Sequence, residues 1–254
     1  MKYLSTVLFL ILSLSAYSKP TTADEKAAMD LAERIVPEYA SNLAFIQTES
    51  DVDVFEFHTE DGKLVIKGNN ANSMAMGLNH YLKNFCDVTV SWHVFDPVEY
   101  PSVMPSVNVP VRVEARTQER FFLNYCTFGY TMPWWKWEDW ERCIDWMALN
   151  GVTMPLATSG QEAIWQKIWM KHGLSDEEVR SYFTGPAHLA WHRMTNIDKF
   201  DGPLPQGWID SQVELQKKIL DSTLGDEEVE KCVELLARYN AVRLAISKLS
   251  NRVI

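Results

Sequence analysis

Apolar residues recur along the first part of the chain at two periods. Ala28, Leu31, Ala32 and Ile35 fall at helical spacing behind Thr22-Ala-Asp-Glu25, a capping box in which a hydroxyl and a carboxylate satisfy exposed helix N–H groups, and Pro37 ends or bends the run. From Asp51 to His58 the period shortens to two, with Val52, Val54 and His58 alternating against Asp53, Phe55 and Phe57, and Lys63 to Lys67 alternates again. Asp61-Gly62 between them is a hairpin signal, so two antiparallel strands are predicted. Gly68-Asn-Asn70 breaks the second strand and leads a helix with the stripe Ala71, Met74, Ala75, Leu78, Leu82 and Phe85; Val88 to Phe95 then predicts another strand. This α-β-β-α-β order reads as a small α+β domain. Pro97, Pro101, Pro105 and Pro110 mark a semi-rigid stretch, which places the domain boundary near residue 115.

The pattern changes beyond it. Arg120 to Thr127 suits a short strand, and a helix over Trp137 to Leu149 follows, burying Trp137, Trp140, Ile144 and Ala148 and stopping at Asn150-Gly151. Val152 to Ala157 predicts a strand buried on both faces. Ser159-Gly-Gln-Glu162 opens a helix with Ile164, Ile168 and Trp169 inward, and Ser175-Asp-Glu-Glu178 caps another that ends at Gly185-Pro186. Asp201 to Gly207 is a turn, and a helix runs from about Trp208 to Leu220. Strand then helix, repeated with short loops, is the pattern of a (β/α) barrel or a doubly wound sheet. Val229, Cys232, Val233 and Leu236 outline one more amphipathic helix, with no clear strand after it.

Composition narrows the function. A net charge of −10 over 254 residues supplies no basic footprint for nucleic acid or an anionic membrane surface. Lys2, the apolar run from Leu4 to about Leu14, and the small residues Ala16 and Ser18 read as a cleaved secretory signal, with no membrane attachment after cleavage. The four cysteines, Cys86, Cys126, Cys143 and Cys232, are widely spaced without metal-type pairing, which suggests buried thiols or one bridge at most. Nine of the ten tryptophans lie between Trp134 and Trp208. Such rings can build a dense core, or floor a pocket for a flat-faced ligand such as a sugar.

Few groups suggest chemistry. Glu162 follows a predicted strand, where barrel enzymes place reacting groups, but its spacing from Ser159 is that of a capping box. Asp139, Glu141 and Asp145 fall on the solvated face of their helix. His188 and His192 are four apart, yet the glutamate of a zinc-protease motif is absent between them. No metal is expected at this pair. Cys126 has no histidine partner in sequence. Asn124, Tyr130 and Trp191 offer an amide, a phenol and a ring face, which suit either a sugar site or a core.

From Arg120 onward, Asn124-Tyr-Cys-Thr, Trp134-Trp-Lys-Trp, Trp140-Glu-Arg-Cys-Ile-Asp-Trp-Met-Ala-Leu-Asn-Gly151, Ser159-Gly-Gln-Glu-Ala-Ile-Trp165, Phe183-Thr-Gly-Pro-Ala-His-Leu-Ala-Trp-His-Arg-Met194 and Asp201-Gly-Pro-Leu-Pro205 resemble the alpha-N-acetylglucosaminidases of glycoside hydrolase family 89. The front segment is similar to the small domain that precedes the barrel in that family. With the signal peptide read over residues 1–18, the resemblance, which covers about residues 25–220, implies an α/β chain with an N-terminal α+β domain over 19–115 and the first strands and helices of an incomplete (β/α)8 TIM-type barrel over 116–220. A divergent helical tail over 221–254 completes it. It implies a secreted or lysosomal hydrolase without a cofactor, whose partner is a glycan with terminal alpha-linked N-acetylglucosamine, as in heparan sulfate. Retaining chemistry of this kind uses two carboxyl groups about 5–5.5 Å apart. In the family both glutamates lie on later barrel strands, so no residue here takes either role, and the chain is expected to be a front portion that is inactive alone. On the matching positions, Asn124, Cys126, Tyr130 and Trp191 would line the sugar pocket. A short protein that binds sugar or a partner without catalysis is the other expectation.

Overall fold

The computed structural model describes residues 20–94 and 98–223. The signal-peptide reading, and the tail reading beyond residue 223, fall outside the described residues. The described residues fold as two compact units, one within 1–121 together with Asp145–Met154, the other Phe122–Ile144 together with the described residues from Pro155 onward.

The first unit begins with α1 (Ala23–Ile35), opened by the expected capping box between Thr22 and Glu25. Then follow β1 (Leu43–Gln47), β2 (Val54–Glu60), β3 (Lys63–Gly68), α2 (Ala71–Phe85) and β4 (Val111–Glu114). The hairpin forms as expected: β2 pairs antiparallel with β3, and Asp61 and Gly62 turn between them in the left-handed region at φ 49° and 78°. The sheet order is β1-β3-β2-β4, with β1 parallel to β3 and β4 antiparallel to β2. Phe55, Phe57, Leu64 and Ile66 meet Leu31 and Ala32 of α1 and Met74, Leu78 and Leu82 of α2 in one core. Burying a side chain the size of Phe57, which is 0% exposed, contributes about 2–3 kcal/mol.

Two expectations fail in this unit. Residues Val88 to Val94 are irregular, and β4 takes the place expected of them in the sheet. The Val88 N–H bonds back to Leu82 O at 2.9 Å and its side chain is buried in the helix-covered core, so it closes α2 instead of entering the ladder. Asp145 is not solvated. It is buried and takes both prongs of the Arg34 guanidinium, at 2.8 and 2.6 Å. Asn79 Nδ2 donates to Leu149 O at 2.6 Å, and Asn72 Nδ2 to Val152 O at 3.2 Å. The Arg120 guanidinium reaches Gly151 O and the Asp53 carboxylate. These bonds tie residues 145–154 into the first unit.

The second half of the chain supplies β5 (Phe121–Phe122), α3 (Trp137–Leu149), β6 (Met154–Pro155), α4 (Gln161–Lys171), α5 (Asp176–Tyr182), α6 (Leu189–Arg193) and α7 (Gln206–Thr223). The helix expected over Trp137 to Leu149 has those bounds. The two strands are shorter than expected. Leu123, at φ 73°, leaves the strand conformation immediately after β5, and Met154 of β6 is exposed, not buried. Met154 N–H donates to Arg120 O and Leu156 N–H to Phe122 O, bonds that advance together along both segments, as in a parallel pair. Strand, helix, strand, helix with parallel pairing is the opening of a β/α barrel.

Candidate functional site

Two apolar clusters build the second unit. In one, Trp140 packs with Phe128, Met132, Leu215 and Ile219; in the other, Trp165 packs with Val179, Phe183, Leu189, Leu204 and Ile209. Trp140 and Trp165 are therefore core, which answers half of the tryptophan question. Trp191 is different. It lies on α6 and forms one wall of a groove of about 500 Å³ with Gly129, Ala187, His188, Asn196 and Ile197. That volume lies in the range of small-molecule sites.

Local chemistry explains how the groove is assembled. Leu123 at φ 73° reverses the chain after β5, an uncommon conformation for a bulky residue that costs on the order of 1–3 kcal/mol. Asn124 Oδ1 then accepts from the Thr127 N–H at 3.1 Å and the Thr127 hydroxyl at 3.0 Å. This fastens a 3-10 turn over Cys126–Gly129. Gly129, at the end of that turn, lies against the Trp191 ring: a Cβ built on it would stand 2.4 Å from Trp191 Cζ3. Tyr130 follows with its ring edge-on to Trp191, centroids 5.8 Å apart at 87°. Asn124 and Tyr130 are exposed and Cys126 is half-buried with a free thiol. The four expected site residues thus divide. Tyr130 touches Trp191, whereas Asn124 and Cys126 shape the turn that carries Gly129 to it.

His188 edges onto Phe200 at 4.8 Å, and its Nδ1 is buried without a hydrogen-bond partner. His192 goes elsewhere. It is 3% exposed, enclosed by Trp165, Tyr182 and Phe183 at 5.2–5.5 Å, with Nδ1 3.1 Å from Ile197 O. Burial lowers its pKa from the ordinary histidine value, against the opposing pull of the Glu162 carboxylate. The two histidines share no ligand position.

Glu162 corrects the capping-box reading. The N-cap of α4 is Gly160, left-handed at φ 78°, with no side-chain cap bond. Glu162 is 0% exposed, and its two oxygens accept from Arg193 Nε at 2.8 Å and Nη2 at 2.9 Å. The inward face of α4 is accordingly Glu162, Trp165 and Gln166, not Ile164 and Ile168. Ser175, by contrast, does form its capping box with Glu178. Gly129, Asn196 and Ile197 were not singled out by sequence reasoning. The one signal available was a glycine placed directly before an aromatic residue.

An α+β unit followed by the start of a β/α barrel, with a tryptophan-walled groove, is an architecture that serves glycoside hydrolases among other enzyme classes. Comparison specifies which. The model of the alpha-N-acetylglucosaminidase N-terminal domain matches residues 26–106, and that of its TIM-barrel domain residues 120–225. Human alpha-N-acetylglucosaminidase is 43% identical over 156 residues, 61% of this chain and 21% of that protein. Among solved structures, a family 89 glycoside hydrolase from Clostridium perfringens in complex with PUGNAc is 37% identical with a TM-score of 0.73, over 80% of this chain and 24% of that one. A variant of the Clostridium perfringens enzyme bound to its substrate GlcNAc-alpha-1,4-galactose is similar at TM-score 0.72 and 37% identity, over the same shares of the two chains. The chain belongs to the alpha-N-acetylglucosaminidases, glycoside hydrolase family 89. It spans between a fifth and a quarter of the length of these relatives.

Proposed function

We propose that this chain supplies the first wall of a pocket for a terminal alpha-linked N-acetylglucosamine residue, with Trp191 and Tyr130 as the ring-facing surfaces and Asn124 and Cys126 beside them. One observation carries the reading: Trp191 lies on Gly129, perpendicular to Tyr130, at the edge of an open groove instead of in either core cluster. An indole face and a phenol suit the apolar face and hydroxyl rim of a pyranose. The bound ligands named for the Clostridium perfringens enzymes, GlcNAc-alpha-1,4-galactose among them, favour the same sugar.

Binding and cleavage separate on this chain. Among the described residues, no carboxylate lines the groove, and Glu162 is committed to Arg193. Retaining hydrolysis needs two carboxyl groups flanking the bond, and the described residues bring none to the groove, so sugar binding is the role proposed for this part of the chain. Its place is within a retaining alpha-N-acetylglucosaminidase of the secretory pathway, lysosomal or extracellular, that acts on heparan sulfate-type glycans. The second reading is a short sugar-binding protein, and the Trp191 groove, whose described lining is Gly129, Ala187, His188, Trp191, Asn196 and Ile197, suits that as well. Saturation-transfer NMR with N-acetylglucosamine, repeated on Trp191→Ala, tests the shared part. Transfer to the parent chain and its loss in the variant are expected; no transfer to the parent defeats both readings. Assay of protein from the source on an aryl N-acetyl-alpha-glucosaminide then separates them, since turnover is expected only of the first.

A further inference from the structure

Glu162 and Arg193 form the most deeply buried ion pair among the described residues, with side chains 0% and 4% exposed. The pair lies outside the groove lining. Its connection to the groove runs through α6. Trp191 and Arg193 are two residues apart, and an α-helix turns about 100° per residue, so they project to nearly opposite sides. A helix of five residues is too short to hold its orientation by its own hydrogen bonds. What Arg193 is tied to therefore governs how α6 is rotated and where the Trp191 ring lies.

The tie is built for angle as well as distance. Two parallel bonds at 2.8 and 2.9 Å join the guanidinium fork to the carboxylate, and Nη1 lies 3.3 Å from Thr158 Oγ1. A bidentate pair of this kind fixes orientation, which a lysine cannot reproduce. Stability alone does not call for it, because a well-packed apolar pair of similar volume generally serves as well as a buried ion pair. On the opposite side of α6 the tolerance is small. Gly129 leaves room for the indole and for nothing more, and Ala190 Cβ is also within 3.0 Å of where a Gly129 side chain would begin.

We propose that Glu162 and Arg193 are a positioning pair: their bidentate contact sets the rotation of α6 that lays Trp191 on Gly129 and so forms the groove wall. Only its final consequence, sugar affinity, rests on the reading given under Proposed function.

The test uses the isotope-labelled full chain. The Gly129 α-protons lie against the Trp191 ring, so their ring-current shift reports the position of the indole without any ligand. Two variants are compared with the parent: Arg193→Lys, which keeps the charge and loses the fork, and Glu162→Leu with Arg193→Met, which replaces the pair by apolar volume. In both, the Gly129 α-protons are expected to move toward their unstacked position. Affinity for N-acetylglucosamine should fall about tenfold, the scale of one lost aromatic contact. Parent-like Gly129 shifts in the double variant, with cooperative unfolding intact, overturn the proposal, because the pair would then be merely structural. If the double variant does not fold, unchanged Gly129 shifts in Arg193→Lys overturn it equally. A parent chain that shows the Gly129 shift but binds no N-acetylglucosamine removes the sugar reading and leaves the positioning proposal to be decided by Gly129 alone.

Discussion

Gly129 and Trp191 share a space that one side chain fills: a Cβ on Gly129 would meet the indole Cζ3 at 2.4 Å and Cη2 at 2.9 Å. The glycine is the negative image of the ring, and the groove wall depends on both. Gly129→Ala therefore displaces Trp191 instead of merely crowding it. Such overpacking costs about 1–3 kcal/mol, and denaturant unfolding should register a loss in that range together with weakened N-acetylglucosamine binding. Unchanged stability and binding would mean that the ring has another place to go.

Removing one partner of the buried pair should be far worse than removing both. Glu162→Leu leaves the buried Arg193, its side chain 4% exposed, without its carboxylate, a loss on the order of 3–5 kcal/mol. Adding Arg193→Met should recover most of it. A urea denaturation series on the two single variants and the double variant measures the coupling directly.

His192 makes stability depend on pH in the range of acidic compartments. Burial lowers its folded-state pKa, while the unfolded chain titrates near the ordinary value of about 6.5. Between those two values the unfolded chain holds a proton that the folded chain does not. The contribution is therefore complete above about pH 6.5 and is lost as pH falls through the window toward the folded-state pKa. Midpoints of thermal unfolding recorded from neutral to mildly acidic pH should fall more steeply for the parent than for His192→Phe. Parallel curves would show that His192 does not titrate on unfolding.

Arg120 joins the start of β5 to Asp53 and Gly151. Burial tends to raise the Asp53 pKa, but bonds from Arg120, Asn69 and Asn70 outweigh it and hold the carboxyl below its usual range. Its stabilising effect is thus present above the ordinary aspartate pKa and lost as pH falls through the lowered one. Arg120→Met should cost about 2 kcal/mol near neutrality, the scale of hydrogen bonds to a charged group, and should shift the Asp53 titration upward. NMR titration of the Asp53 carboxyl checks the second point independently of the first.

Legibility followed the range of the interactions. The capping boxes of Thr22 and Ser175, the Asp61-Gly62 hairpin and the helix over Trp137–Leu149 are set by residues within a turn or two of each other, and all four formed as read. Alternation did not single out β1, whose Leu-Ala-Phe-Ile run is apolar throughout and pairs parallel with β3 some twenty positions on. Asp145 has the spacing of a solvated residue, but its partner Arg34 lies 111 positions away. Glu162 mimicked a cap for the same reason: Ser159 stands at cap spacing, while Arg193 is 31 residues distant.

From its sequence alone this protein was determined to be a family 89 chain with a small α+β unit ahead of barrel-type strands and helices, because local patterns and long blocks of rare residues are written in order along it. Only the tertiary structure decided which tryptophans are core and which is a wall, that Gly129 yields its side-chain space to Trp191, and that Glu162 is held by Arg193. Those choices depend on which surfaces meet when distant segments pack. Close packing and the cost of a buried unpaired charge settle them, and neither has a signature at any fixed spacing in the sequence.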